Sequence, residues 1–176
     1  MRTFLLICTA LLASCAGTSP QNYAQFTPVL VPSEFFVGDL RAHGVIKNRS
    51  GTVIRFFSAD IDASWTDGVG TLDEEFVFND GVAERRVWTL TPTVSGRYAA
   101  SAGDVVGTGK LEYQGNSLFL DYILRIPYGN SSIDVSVDDR MYLVAPDVLI
   151  NESVMRKFGV EVGSILLVIQ RLTASD

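Results

Sequence analysis

Residues 104–127, with the sequence DVVGTGKLEYQGNSLFLDYILRIP, contain the clearest structural signal in this chain of 176 residues. Gly115-Asn116 at the centre is typical of a two-residue β-hairpin loop. That loop aligns apolar, aromatic and glycine residues on one face, in the pairs Tyr113 with Leu118, Leu111 with Leu120, Gly109 with Tyr122, Gly107 with Leu124 and Val105 with Ile126. The other face has the charged residues Asp104, Lys110, Glu112, Asp121 and Arg125. Because a shift of one residue would bury these charges, the pattern predicts a hairpin with a defined inner face.

Strand-like segments separated by turn residues continue on both sides of the hairpin. Besides 104–114 and 117–127, the predicted strands are 39–47, 52–65, 71–78, 82–91, 96–101, 133–144 and 160–172. One short helix is predicted before the last strand, at residues 154–158, with Asn151 or Ser153 as its N-cap and Gly159 at its end. Regularly spaced strands with tight turns predict an all-β fold, an antiparallel β-barrel formed by residues 35–176.

Two further turns place polar side chains on the inner face of this barrel. A three-residue loop at Asn79-Asp80-Gly81 pairs Phe78 with Val82, Glu74 with Arg86 and Leu72 with Trp88. A turn at residues 128–132 pairs Ile126 with Val135, Leu124 with Val137 and Tyr122 with Asp139. Unpaired buried charges are unfavourable, so Glu74, Arg86 and Asp139 are either a ligand-orienting cluster in a cavity or a buried ion pair that fixes the register.

The last predicted strand is apolar on both faces, through Ile165-Leu166-Leu167-Val168-Ile169. We expect the short helix to cover its outer face. The alternative is an outer apolar patch that contacts lipid or a partner protein.

The first residues have the pattern of a bacterial lipoprotein signal peptide, residues 1–14. Arg2 supplies a positive charge, Phe4 to Leu12 is an apolar run too short to span a bilayer, and Leu12-Ala13-Ser14-Cys15 has the form of a lipobox. Cleavage before Cys15 would leave a lipidated cysteine at the mature N-terminus and remove Cys8. Ala16, which is not Asp, favours the periplasmic face of the outer membrane. Residues 15–34, rich in Pro, Thr, Ser and Gln, are predicted to be a tether.

Composition and charge exclude several function classes. The net charge of −6 disfavours nucleic-acid binding, which needs a basic face. The predicted outer faces are charged, so a transmembrane barrel is not expected. His43 is the only histidine and has no partners for a catalytic or metal site, and GDVVGTG at residues 103–109 does not join a strand to a helix as a phosphate loop does. We therefore predict no cofactor and no metal.

Several short motifs follow in a fixed order and spacing: Leu72-Asp73-Glu74-Glu75-Phe76, Asp80-Gly81, Arg86-Val87-Trp88, Asp104-Val105-Val106-Gly107, Gly115-Asn116-Ser117-Leu118, Asp138-Asp139-Arg140-Met141 and the run from Asn151 to Gly163. Together they resemble a family of uncharacterised bacterial lipoproteins, domain of unknown function 3833. The resemblance covers residues 35 to the C-terminus and implies a small, lipocalin-like envelope protein without an established activity. It also suggests a link to fatty-acid modification. Arg140 stands where the family pattern has Trp, and a second Trp is missing near Leu120 or Asp121.

These observations lead to three functional hypotheses. The first is a membrane-anchored lipoprotein whose barrel binds a hydrophobic ligand such as a fatty acid or lipid, since a barrel of about eight strands can hold one small molecule. The predicted ligand-binding residues are Glu74, Arg86, Trp88, Gly107, Gly109, Tyr122 and Asp139. The second is a structural or protein-interaction lipoprotein with a filled barrel, and the third is a lipid-modifying enzyme.

Overall fold

The protein is seen in a computed structural model that describes residues 17–94 and 96–172. The described chain begins with a 3-10 turn, Pro20–Tyr23, and a one-turn helix α1, Pro32–Phe35. Ten strands follow: β1 (Gly38–Asn48), β2 (Val53–Thr66), β3 (Val69–Phe78), β4 (Ala83–Pro92), β5 (Tyr98–Ser101), β6 (Gly109–Gln114), β7 (Ser117–Tyr128), β8 (Ser131–Ala145), β9 (Val148–Lys157) and β10 (Val160–Arg171). Within these residues no helix is long and apolar enough to cross a membrane.

Each strand pairs antiparallel with its neighbours in the chain, and β10 pairs with β1 to close the barrel. The prediction of an all-β, lipocalin-like antiparallel barrel is therefore confirmed. Alternation explains the fold: on β2, Phe57, Ala59, Ile61 and Ala63 are buried inside, whereas Asp60 and Asp62 between them are exposed.

The predicted register of β3 with β4 agrees with the structure, and that of β6 with β7 agrees next to the turn. Glu74 faces Arg86 across β3–β4, and the Phe78 amide donates to the Val82 carbonyl at 3.0 Å, as the three-residue loop predicts. Leu111 faces Leu120 across β6–β7. The β7–β8 register is wrong by two residues, because Tyr128 pairs with Ser131 and only Gly129-Asn130 forms the turn. A shift of two preserves the faces, so Asp139 still points inward but lies opposite Leu120.

The first half of the predicted strand 104–114 is also wrong. β6 begins at Gly109, and upstream of it a single bridge joins Val105 to Leu124. Val105 thus takes the place predicted for Gly107, and residues 106–108 loop outward. Gly107 is exposed and has φ +72°, a conformation that glycine adopts without strain.

The helix predicted at residues 154–158 is wrong, because this segment is the end of strand β9. β9 forms hydrogen-bonded ladders with β8 on one side and β10 on the other, and without it both would have unpaired edges. The turn after it consists of Phe158 and Gly159, both at positive φ, as a two-residue hairpin turn requires. With no helix there, the outer face of β10 is uncovered within the described chain, and Leu166 and Val168 are about two-fifths exposed.

The N-terminal segment closes one end of the barrel. Leu30 is fully buried and its amide donates to the Gly115 carbonyl at 2.7 Å, while the Trp65 indole donates to the Phe36 carbonyl at 2.8 Å. Tyr23 packs on Phe119 and Tyr142 of the outer wall. Residues 15–34 were predicted to be a tether; in the part of that segment that the structure describes, Pro20, Leu30 and Pro32 are buried and most of the other residues are exposed.

Candidate functional site

The barrel encloses a cavity with a volume of about 680 Å³. This volume lies within the usual range for small-molecule sites. Most of the wall is apolar, and it includes Ala42, Phe57, Leu72, Leu90, Leu111, Leu118, Leu124 and Ile169. Side chains of the described residues therefore do not fill the interior.

The cavity opens at the end opposite the N-terminal segment. There it is lined by Ile54 and Tyr128, which are also more than half exposed to solvent, and by Lys47. Further exposed apolar residues lie at the same strand ends and turns: Val53, Phe56, Val77, Val82, Phe158, Val160 and Val162. The mouth therefore has an apolar rim that continues into the apolar wall.

Halfway along the barrel, a carboxyl and a guanidinium interrupt the apolar wall. Glu74 on β3 and Arg86 on β4 face each other, as the sequence predicted. Arg86 forms its ion pair with Asp104 instead, through Nε at 3.0 Å and Nη2 at 2.6 Å. Glu74 forms no ion pair within 4.0 Å of any side chain that the structure describes. The hypothesis of a Glu74–Arg86 ion pair is thus wrong, because the loop before β6 places Asp104 within ion-pair distance of Arg86.

The environment of Glu74 disfavours its charged form. Burial raises the pKa of its carboxyl from 4.5 to about 7. Arg86 and Trp88 lower this pKa, while the neighbouring Asp139 and Asp104 raise it further. Because this value is near neutrality, Glu74 exchanges a proton around pH 7 and can donate or accept a hydrogen bond.

A second polar group lies across the barrel, on β8 and β9. The Oδ1 atom of Asp139 accepts hydrogen bonds from the Asn151 amide and, at 2.7 Å, from the Ser153 hydroxyl. All three side chains are buried and line the cavity. Burial raises the pKa of Asp139, although these two hydrogen bonds favour its ionised form. Oδ2 of Asp139 has no hydrogen-bond partner among the described residues, so it can accept a bond from a molecule in the cavity.

Aromatic rings connect the two polar groups. Tyr122 and Trp88 both line the cavity and pack edge to face with their centroids 5.2 Å apart. Burial raises the pKa of the Tyr122 hydroxyl, which therefore stays protonated. The Arg86 guanidinium lies 5.8 Å from the Trp88 ring centroid, which brings arginine, tryptophan and tyrosine together at mid-barrel.

Five of the seven predicted ligand-binding residues line the cavity: Glu74, Arg86, Trp88, Tyr122 and Asp139. Gly109 is buried behind Tyr122, where an added Cβ would lie 2.9 Å from the Tyr122 Cβ. Gly107 lies in an exposed loop with nothing near it, so the prediction that it faces inward is wrong. His43 is exposed on the outer face of β1. Cys15 and Ala16 lie outside the described residues.

Sequence reasoning missed Asn151, Ser153 and Asp104. Asn151 and Ser153 were interpreted as helix caps, although they alternate with exposed or half-exposed residues as inner positions of a strand do. Asp104 was placed on the outer face by a register that ran through Gly107. Arg140, the predicted departure from the family pattern, lies outside the barrel, where it pairs with Asp121 at 2.7 Å. That departure therefore does not alter the cavity wall.

Comparisons with known proteins give a family and a similar fold, but no function. The family model described as "Protein of unknown function (DUF3833)" matches residues 9–171. The fold is similar to the structure of an S-type phycobiliprotein lyase from Guillardia theta, with a TM-score of 0.57 and 13% sequence identity, over 90% of this chain and 99% of that one. A likeness at this identity concerns the fold alone. No functionally curated protein matches the chain.

Proposed function

The chain belongs to the DUF3833 family, whose function is unknown, and we propose that it binds a hydrophobic, lipid-like small molecule inside its barrel. The observation that carries this proposal is the apolar cavity of about 680 Å³ with a solvent-accessible mouth. Transfer of apolar surface from water into such a cavity is favourable by about 25 cal/mol per Å². The few polar groups at mid-barrel would orient the ligand.

The two other hypotheses have less support. A protein that acts only through surface contacts has no need of an unfilled interior, and empty cavities destabilise a fold. The exposed outer face of β10 is compatible with a partner, but it does not account for the cavity. A lipid-modifying enzyme has no specific observation in its favour.

Binding of the uncharged probe N-phenyl-1-naphthylamine tests the proposal by its increase in fluorescence. Ala59 lines the cavity, so Ala59→Phe places a ring inside it. Its neighbour Ser58 points to the outer face, and Ser58→Phe is the matched control. We expect Ala59→Phe to weaken probe binding at least tenfold and Ser58→Phe to leave it unchanged, with both variants folded by circular dichroism.

The proposal fails if the parent protein does not bind the probe. It also fails if both variants bind it as the parent does, because the probe would then occupy an outer surface. Native mass spectrometry of the freshly purified protein adds a second readout. A hydrophobic ligand retained from the cell, and lost in Ala59→Phe, supports the interior site.

We also propose that the protein is lipidated at Cys15 and held at the periplasmic face of the outer membrane. The support is the charge, the short apolar run and the small residues before Cys15, together with Ala16. Metabolic labelling with a fatty acid tests it: Cys15→Ser should lose the label and Cys8→Ser should keep it. Label retained by Cys15→Ser contradicts the assignment.

The proposed anchor has a consequence for the orientation of the barrel. Ser19 is four residues after Cys15, and four extended residues span at most about 14 Å. The segment from Pro20 to Phe36 packs at the closed end. A lipid on Cys15 would therefore hold the closed end near the membrane and leave the mouth facing away from it.

A further inference from the structure

The polar groups inside the cavity restrict the class of ligand, on the premise that the barrel binds one at all. Two carboxyl groups, Glu74 and Asp139, line the middle of the cavity together with one guanidinium, Arg86. That guanidinium is paired with Asp104 through Nε and Nη2, so its charge is balanced by protein. The two remaining carboxyls have no cation of their own within ion-pair distance among the described residues. With both carboxyls ionised, the mid-barrel wall thus has an excess of negative charge.

The two carboxyls also lie too deep in the cavity to contact the polar head group of a ligand whose head group stays at the mouth. Glu74 and Asp139 lie near the middle of their strands, far from the mouth at Phe78 and Ser131. A simple fatty acid with its carboxylate at the mouth, beside Lys47, would lay its methylene chain across both carboxyls. Covering these carboxyls with hydrocarbon leaves an oxygen without a partner, as at Oδ2 of Asp139, and burying an unpaired acceptor is costly. A ligand that fits has a polar group of its own at mid-barrel.

Hydrogen-bond chemistry then decides the character of that group. Oδ2 of Asp139 offers a free acceptor, and the Asn151 and Ser153 donors are already directed at Oδ1 of the same carboxyl. A ligand carboxylate would bring a third anion beside Glu74 and Asp139, in an interior where like charges repel more strongly than in water. An ammonium, with three N–H donors, can instead donate to both acids, and a hydroxyl can donate to one of them.

We propose that the cavity takes an amphiphile whose polar group donates hydrogen bonds, preferentially a protonated long-chain amine, and that it discriminates against fatty-acid carboxylates. The apolar wall holds the hydrocarbon chain. Asp139 and Glu74 receive the donor from opposite sides of the barrel. Arg86 with Asp104 stays a structural pair.

Displacement of bound N-phenyl-1-naphthylamine by three ligands of one chain length tests this inference. Dodecylamine, dodecanol and dodecanoate differ only in the head group. At about pH 8, where Glu74 is largely ionised, we expect dodecylamine to displace the probe at concentrations at least tenfold lower than dodecanoate, with dodecanol between them. Equal or tighter binding of dodecanoate overturns the inference while leaving the proposed hydrophobic binding intact. Absence of probe binding overturns the proposed function itself.

Four variants locate the effect. Asp139→Asn removes the negative charge but keeps an oxygen acceptor for Asn151 and Ser153. Glu74→Gln removes the negative charge on the opposite wall. Each should reduce the preference for amine over acid, taken as the ratio of the two displacing concentrations for the same variant, at least fivefold. Glu75→Gln, on the exposed outer face next to Glu74, is the matched control and should leave this preference unchanged. If instead Lys47→Gln weakens dodecanoate and the interior variants have no effect, the head group binds at the mouth and the inference is wrong.

Discussion

The carboxyl of Glu74 should make the barrel less stable as the pH rises through neutrality. Its pKa is about 7 in the folded protein and near 4.5 when unfolded. Below pH 4.5 both states bind the proton, and Glu74 has no effect on the pH dependence. Between pH 4.5 and about 7 the folded state keeps a proton that the unfolded state has lost, so raising the pH favours unfolding. Above pH 7 both states are ionised and the dependence ends.

The magnitude follows from the two pKa values. The free energy of unfolding falls by about 1.4 kcal/mol per pH unit across this interval, which gives a total of about 3 kcal/mol. This total is an upper value, because Glu74 keeps some contact with the cavity and is not fully enclosed by protein. A drop of this size is a large part of the stability of an ordinary domain, which is about 5–15 kcal/mol.

Urea unfolding of the parent and of Glu74→Gln at a series of pH values between 4 and 8.5 measures the effect. Gln has the shape of Glu but cannot ionise, so Glu74→Gln should match the parent near pH 4 and exceed its stability by up to about 3 kcal/mol at pH 8. Glu75→Gln, at the adjacent exposed position, should differ from the parent by no more than about 0.5 kcal/mol at any pH. If the two variants show the same pH dependence, Glu74 is ionised and hydrated in the folded barrel, and the argument from burial is refuted.

Three further predictions follow from individual contacts. Arg86→Met should cost about 2 kcal/mol at pH 8 in urea unfolding. This is below the range for fully buried pairs, because the Arg86 and Asp104 side chains are 26% and 36% exposed. Arg85→Met, which removes the ion pair with Asp73 on the outer face, should cost under about 0.5 kcal/mol, and equal losses would mean that the Arg86–Asp104 pair is no better shielded from water than the outer pair. Gly115→Ala should loosen the N-terminal segment, because the added Cβ would lie 1.7 Å from the Tyr23 carbonyl oxygen. Hydrogen exchange of the Leu30 amide, which donates to Gly115, should therefore accelerate. An exchange rate equal to that of the parent would contradict the packing of the N-terminal segment on the closed end of the barrel. Gly107→Leu should leave probe binding unchanged, because Gly107 lies in an exposed loop. It should lower the free energy of unfolding by about 1 kcal/mol, because leucine is strained at positive φ. A loss of probe affinity would mean that Gly107 lines the cavity.

The fold class and the inner face of most strands were accessible from the sequence because they depend on local patterns. Alternation of apolar and polar residues assigns faces without knowledge of the partner strand, and Asn79-Asp80-Gly81 and Gly115-Asn116 fix the registers on either side of them. That information sufficed to place Glu74, Arg86, Trp88, Tyr122 and Asp139 inside. It also sufficed to separate Glu74 from Glu75 and Asp138 from Asp139, since neighbours on a strand point in opposite directions.

The errors arose where the decisive contact is not local. Residues 154–158 read as a helix because a capping residue precedes them and a glycine follows, but β8 and β10 both needed a partner strand between them. Gly107 was assigned to the inner face because an uninterrupted ladder was assumed, whereas Val105 bridges to Leu124 and the next three residues loop outward.

Tertiary structure alone decided the chemistry of the interior. Closure of β10 on β1 encloses the cavity, and it brings β3 and β4 opposite β8 and β9, which are far away in the chain. Arg86 forms its ion pair with Asp104 and not with Glu74, and Asn151 and Ser153 donate to only one oxygen of Asp139. Which charges are balanced and which are left for a ligand depends on distances between strands that alternation along one strand does not encode. The sequence by itself therefore determined which side chains face inward on the strands with local turn signals, and the closed barrel determined which of them meet.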